Sequence, residues 1–435
     1  MARILVAAMS FTGHVAPVLT VAHELVAAGH DVRVYTGSAF AARVAASGAR
    51  FVPWREATDF DENDLQATFP RLVGKKGLRQ TMVNLEDCMI GTAGGQVADL
   101  EAEWRREPWD VTACDEMALG PGLFAERHDV PLATIAVLPL HMPSRQGPPS
   151  GLGLTPGTNA LTRLRDAALR SAVPLMAGPL DRPFKRLRRE LGLPTSRLHF
   201  NEIVLSRRLI VANGSPALDF GRTDRPPHLH FVGALTADAA SRPVPEWWSD
   251  LDDRRVIVVT QGTQNVDPSD LVRPALDALA DEDALVVATT GLPGRNDFDF
   301  AVPANARVAD FVPFALLLPR TDVMITNGGW GGTLAGLSHG VPLVIAGGDL
   351  DKPEVAARVA WSGAGVNLRT GTPTSAQVAE GYRRARDDVS VRDAAARVGA
   401  ELRSLGGPTR AAALIAGLAD DAAPDAEADQ AIGST

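Results

Sequence analysis

The stretch VMITNGGWGGTLAGLSHGVPLVIAGGDLDKPEVAARVAWSG, residues 323–363, constrains the fold more than any other part of the chain. A β-branched run from Val323 to Thr326 ends in a glycine-rich turn. A helix-compatible segment follows, then an apolar run from Leu343 to Ala346, a loop, and a helix that Pro353 opens and Gly363 closes. That succession is the βαβ unit of a parallel sheet, whose strands need long crossover connections. Within the turn, Gly328, Gly329, Gly331 and Gly332 let backbone approach a ligand with no Cβ in the way. The helix behind them aims free N–H groups and a positive dipole end at the same place, so a phosphate is the natural guest. Thr333, expected at the helix start, offers a hydroxyl to cap the helix or to donate to a phosphate oxygen. Without a ligand, the same segment would be a tight strand-to-helix turn.

The same rhythm runs through the rest of the chain, which at 435 residues is long enough for two cores. Short apolar runs at Ile4 to Ala8, Asp31 to Tyr35, Val111 to Cys114, Leu132 to Val137 and Leu209 to Ala212 predict strands. The first helix is placed at about Pro17 to Ala28. Residues 216–253 then turn rich in proline and aspartate and carry Trp247 and Trp248, as an interdomain connection would. Strands resume at Val256 to Thr260 and Ala284 to Thr289, with a helix between them at Leu271 to Ala280. The fold class is α/β: two doubly wound parallel-sheet domains, residues 1–215 and 254–400. A helix at 401–418 is expected to pack back on the first domain, and the acidic 419–435 to be a disordered tail.

Composition excludes some classes. With 43 basic against 52 acidic residues the net charge is −9, which offers no long-range attraction to nucleic acid or an anionic membrane. Arg182, Lys185, Arg186, Arg188 and Arg189 read as a solvated helix face. Cys88 and Cys114 have neither metal nor redox spacing, and no run approaches a membrane span or a signal-peptide core, so a cytoplasmic protein is expected. The triplets Asp297-Phe298-Asp299 and Asp349-Leu350-Asp351 are too easily met by chance to predict a metal.

A second chemical centre is expected near the start. His14, in SFTGHVAPVL, lies at the approach to a helix whose dipole by itself lowers an imidazole pKa. A base there wants a carboxylate, and Asp115 follows strand Val111 to Cys114 at the carboxyl edge, where doubly wound sheets build their sites. A nicotinamide-dependent dehydrogenase is excluded, because SFTGHV stands where G-x-G-x-x-G would open the first helix.

The ordered set of GHVAP, the Trp-Trp linker, VTQGT, FVPFALLLPRTD, TNGGWGGT and DKPEVAARV resembles the UDP-glycosyltransferase superfamily, over Ile4 to about Leu418. The likeness is to its bacterial natural-product branch, and it implies the GT-B fold, two Rossmann-like domains facing a central cleft. It implies that His14 deprotonates the acceptor and Asp115 orients it. Donor contacts would come from Gly262, Thr263, Phe311 against the base, the Val312 backbone, Asn327, Gly328, Gly329, Trp330, Gly331, Gly332, Thr333, Asp351 and Lys352. The sequence departs from the family pattern at Asn327, where histidine is usual, at Gly332, where a hydroxyl residue is usual, at Ala335, where many plant members have glutamate, and at Lys352, where glutamine is usual. Asp351 alone is also readable as a helix cap. The acceptor would lie among Phe11, Trp54, Phe60, Leu138 and Met142, in loops at residues 54–89 and 141–175, which suits a hydrophobic small molecule. The expected activity is inverting, metal-independent transfer from a UDP- or dTDP-sugar by a monomer or homodimer, with no cofactor beyond that co-substrate. The alternative is a catalytically degenerate nucleotide-binding or auxiliary relative.

Overall fold

A computed structural model of the protein describes residues 1–75, 77–196, 199–200, 202–236, 243–262 and 267–420. The first sheet comprises β1 (Arg3–Ala7), β2 (Asp31–Thr36), β3 (Arg50–Pro53), β4 (Val111–Asp115), β5 (Leu132–Ala136), β6 (Leu209–Ala212) and β7 (Leu229–Phe231). They lie in the order β3-β2-β1-β4-β5-β6-β7, every pairing parallel. The second comprises β8 (Val256–Thr260), β9 (Leu285–Thr289), β10 (Ala306–Ala309), β11 (Thr321–Thr326), β12 (Leu343–Ile345) and β13 (Gly365–Asn367), in the parallel order β10-β9-β8-β11-β12-β13. Chain order reverses between β1 and β4 in one sheet and between β8 and β11 in the other. Those switch points open crevices at the carboxyl ends of the strands.

Strand alternation builds the cores. Ile4 and Val6 of β1 join one cluster with the helix Thr12–Ala27, while Leu5 and Ala7 join another across the sheet with Leu100, Phe124 and Phe184. In β8, Val256 and Val258 pack with Leu334 and Val355, and Ile257 and Val259 with Leu276 and Tyr382. Continuous apolar strands are what a sheet covered on both faces demands.

Several boundaries differ from expectation. The first helix starts at Thr12, ahead of Pro17, because the Glu62 carboxylate accepts from the Thr12 N–H at 2.9 Å and from its hydroxyl, capping a start that Phe11 cannot cap. Residues 216–253 are not one connection: Leu229–Phe231 forms β7 at the edge of the first sheet, too short a run to stand out among prolines. The expected loop at 141–175 ends in a 31-residue helix, Ala160–Glu190, capped by Asn159 and continuous through Pro174, Pro179 and Pro183. On it Arg182, Lys185, Arg186 and Arg189 face solvent, whereas Arg188 is buried against Glu126 at 2.6 Å. The terminal helix runs Gly407–Asp420, and its Ala411, Ala412, Ile415, Leu418 and Ala419 complete the core beneath β1. Ala419 and Asp420 of the expected tail thus belong to a helix, and residues 421–435 lie outside the described residues. Among the described residues no helix is long and apolar enough to cross a membrane.

Candidate active site

The crevice of the first sheet holds His14 and Asp115. Both flank its switch point, Asp115 as the last residue of β4 and His14 in the first turn of the helix after β1. Asp115 is fully buried and fixed by the backbone: its Oδ2 accepts from Met9 N at 2.6 Å, and its Oδ1 from Met117 N at 2.6 Å and Ala118 N at 3.1 Å. His14 Nδ1 lies 3.3 Å from Asp115 Oδ1, long and poorly aligned for a hydrogen bond but close for a charge contact. With Nδ1 turned to the carboxylate, Nε2 is the nitrogen left for a substrate. Burial alone pushes the imidazole pKa down, but the charge of Asp115, with Glu116 and Asp351 behind it, outweighs burial and holds it above its ordinary value. The expectation of a depressed imidazole, drawn from the helix dipole alone, is therefore corrected: nearby carboxylates carry whole charges and the helix end only a partial one.

Glu116 went unrecognised in the sequence. It is buried, with Oε2 accepting from Val137 N and Oε1 from Leu138 N, each at 2.8 Å, so it pins the chain where it leaves β5. Burial, with Asp115 next to it, pushes its carboxyl up to about 7. The one available signal was the pair Asp115-Glu116 at a strand end.

Across the cleft, the glycine turn lies after β11, at the second switch point. Gly328 has φ +90°, and a Cβ there would come within 2.8 Å of Ile345. The helix Trp330–Ser338 begins three residues before Thr333, so Thr333 is not its cap: it is fully buried, its N–H bonded to Gly329 O at 2.9 Å and its hydroxyl without a hydrogen-bond partner. Asn327 stitches this turn to the exit of β8. Its amide donates to Gln261 O, its Oδ1 accepts from Gly329 N at 3.3 Å, and Gly262, at φ +76°, lies against it. Thr263 lies outside the described residues. The Trp330 indole turns inward and donates to Asn213 O of the first domain at 3.0 Å, so this residue can offer a ligand only its backbone. Gly331 is exposed and Gly332 half-buried at the mouth of the turn.

Phe311 and Val312 leave β10, Phe311 half-buried and Val312 in the core. Asp351 precedes the helix Lys352–Ser362 without capping it through its side chain, and the Lys352 ammonium pairs with Asp349 at 2.8 Å. Burial raises the Asp351 pKa more than Lys352 lowers it, and its charge is felt at His14, so the two domains' groups face one cleft. On the acceptor side Phe11 sits 5.8 Å from the His14 ring and 5.1 Å from Phe60, which continues to Trp54 at 5.8 Å. Trp54 and Phe60 are core residues behind the cleft; Phe11, Leu138 and Met142 are only partly buried. Among the described residues no group of three or more His, Cys, Asp or Glu side chains is arranged to hold a metal. A cavity of about 570 Å³ lined by Arg255, Asp322, Arg386, Asp387 and Arg392 lies at the opposite strand ends, its Arg386 already paired with Glu282 and Asp387.

Two parallel-sheet domains, with a histidine–aspartate pair at the switch point of one and a glycine-rich turn at the switch point of the other, have the architecture of a GT-B sugar transferase. Known proteins agree. Residues 273–418 match the C-terminal domain family of the Erythromycin biosynthesis protein CIII-like proteins. The chain is 40% identical to 4'-demethylrebeccamycin synthase of Lentzea aerocolonigenes, over 96% of this chain and 99% of that one. It is 34% identical to UDP-glucosyltransferase B1 of Starmerella bombicola, over 86% and 88%. The crystal structure of the kitacinnamycin glycotransferase superposes with a TM-score of 0.74 at 23% identity, covering 96% of this chain and 99% of that one, and shares the fold. The protein belongs to the UDP-glycosyltransferase superfamily, in its natural-product branch, and is a sugar-transferring enzyme.

Proposed function

We propose that the enzyme transfers a sugar, with inversion and without a metal, from a UDP- or dTDP-sugar to a hydroxyl or other nucleophile of a hydrophobic small molecule. The observation that carries this reading is His14, held by a buried Asp115 at 3.3 Å and opposite the glycine turn. His14 Nε2 takes the acceptor proton as the acceptor atom attacks the anomeric carbon. The bond from that carbon to the diphosphate oxygen breaks on the opposite face, and the nucleoside diphosphate leaves with the electron pair. Asp115 stabilises the imidazolium as it forms. The charge growing on the diphosphate meets the first-turn N–H groups of Trp330, Gly331 and Gly332, whose bonds no carbonyl of the helix claims. Asp351 and Lys352 stand where the sugar hydroxyls and diphosphate meet, and Phe311 beside the base. Cytoplasmic residence belongs to the same reading.

A thermal-shift panel of UDP, dTDP, GDP and ADP tests the donor site, since a ligand of the folded state raises apparent stability by mass action. UDP or dTDP should raise Tm; no shift with any of them sinks the donor site. Turnover of UDP-glucose or dTDP-glucose with a panel of aromatic and aliphatic alcohols, followed by mass spectrometry and NMR of the anomeric proton, should give the inverted glycoside at a rate EDTA leaves unchanged.

A further inference from the structure

The segment DKPEVAARV supplies two buried charges that the transfer chemistry does not use. Glu354 and Arg358 lie one turn apart on the helix Lys352–Ser362 of the donor domain, each 2% exposed. The guanidinium donates to Glu354 Oε1 at 3.1 and 3.0 Å, to Asp219 Oδ1 at 3.1 Å, to Leu218 O at 3.2 Å and to Leu140 O at 3.0 Å, and lies 4.9 Å from the Phe220 ring centre. The other oxygen of Glu354 accepts from Gly151 N at 3.2 Å and Gly153 N at 3.1 Å. Leu140, Gly151 and Gly153 belong to the irregular segment 138–157, which Glu116 pins at its other end through Leu138 and which carries the acceptor-side residues Leu138 and Met142.

The contact is close as well as charged. Gly153, at φ +64°, would place a Cβ 2.7 Å from the Pro353 Cβ and 3.1 Å from the Pro353 carbonyl carbon. Only glycine fits so near the residue that separates Lys352 from Glu354. Because buried charges are costly unless every partner is in place, this set has one well-satisfied arrangement, and it requires the acceptor segment to sit on the donor helix.

We propose that Glu354 and Arg358 are positioning residues that fasten the acceptor segment 138–157 to the helix led by Asp351 and Lys352, so that a nucleotide seated at the glycine turn stiffens the acceptor side. The inference rests on reading that turn as the donor site. Ordering residues 349–352 orders the next turn of the same helix, and through Glu354 the amides of Gly151 and Gly153; rigidity imposed at one site then lowers the ordering cost at the other.

Hydrogen exchange with UDP or dTDP as the probe tests it. In the wild type, saturating nucleotide should slow exchange of the 139–157 amides several-fold, alongside those of 328–333. In Arg358→Met the slowing of 139–157 should vanish while nucleotide affinity stays within about threefold, a split that general destabilisation would not produce. If that variant fails to fold, Gly153→Ala, which leaves every charge in place, should give the same split. Nucleotide binding that protects 328–333 but leaves 139–157 unchanged in the wild type overturns the coupling alone. Protection of 139–157 that survives in the variants also overturns it. No binding by either nucleotide overturns the donor reading and the coupling together.

Discussion

Protonated His14 pairs with Asp115, whereas neutral His14 is the form able to take a proton from an acceptor. The two states pull in opposite directions with pH. The folded pKa lies above the ordinary 6.5, so the pairing stabilises the fold fully below that value and is lost as pH rises through the folded pKa. Activity should rise over the same window. The Tm difference between the wild type and His14→Gln is thus expected to shrink as pH rises above 6.5 and through the raised folded pKa, while wild-type kcat/KM climbs. His14→Gln should lose about 10²- to 10⁴-fold in kcat with the fold intact. Glu116 works on the same limb. Its carboxyl is pushed up from 4.5 to about 7, so the folded state holds a proton that the unfolded state has lost, and stability falls as pH rises across that interval. Glu116→Gln removes a negative charge beside His14 and should move the acid limb of the rate profile to lower pH; a limb that stays put would refute the charge contact.

At the scale of elements, the glycine turn separates folding from binding. A Cβ on Gly331 meets nothing within 4 Å, whereas one on Gly328 meets Ile345 at 2.8 Å with φ at +90°. Gly331→Ala should therefore leave stability equal or raised, by up to about 1 kcal/mol of helix propensity, yet weaken UDP or dTDP binding in calorimetry. Gly328→Ala should cost about 1–3 kcal/mol of stability in urea melts. This element was legible in the sequence because glycine at close backbone approach leaves a chemical trace. The starts of its helix and of the His14 helix were not. One begins at Trp330, after Gly329, which has no side chain to cap it, and the other is capped from a distance by Glu62, so neither carries its signal locally. Strands such as Val256–Thr260 and Leu209–Ala212 could be read to the residue, being apolar on both faces. Edge strands β3, β7, β10 and β13, at three or four residues each, were hidden among turn residues. Asp115 is legible because it ends a readable strand, and Glu116 is not because its partners, Val137 and Leu138, are backbone groups of the chain just past another strand.

For the whole molecule, the chain crosses between domains twice, once through the connection after β7 and again at Gly406–Gly407, two left-handed glycines where the last helix begins. Gly407 N bonds to Val232 O at 2.6 Å, and Thr409 reaches Glu24 of the first helix at 2.8 Å, so the chain's last described helix roofs the acceptor domain's core. The donor domain is thus joined to the first domain by the chain at two points. It follows that damage to the roof should be felt as lost stability of the acceptor domain rather than as a damaged donor site. Ile415 is fully buried there, and its truncation to alanine should cost about 2–5 kcal/mol in urea unfolding followed by circular dichroism. Nucleotide affinity in the same variant should stay within about twofold under native conditions. A large loss of affinity with little loss of stability would mean that the last helix acts on the donor turn directly.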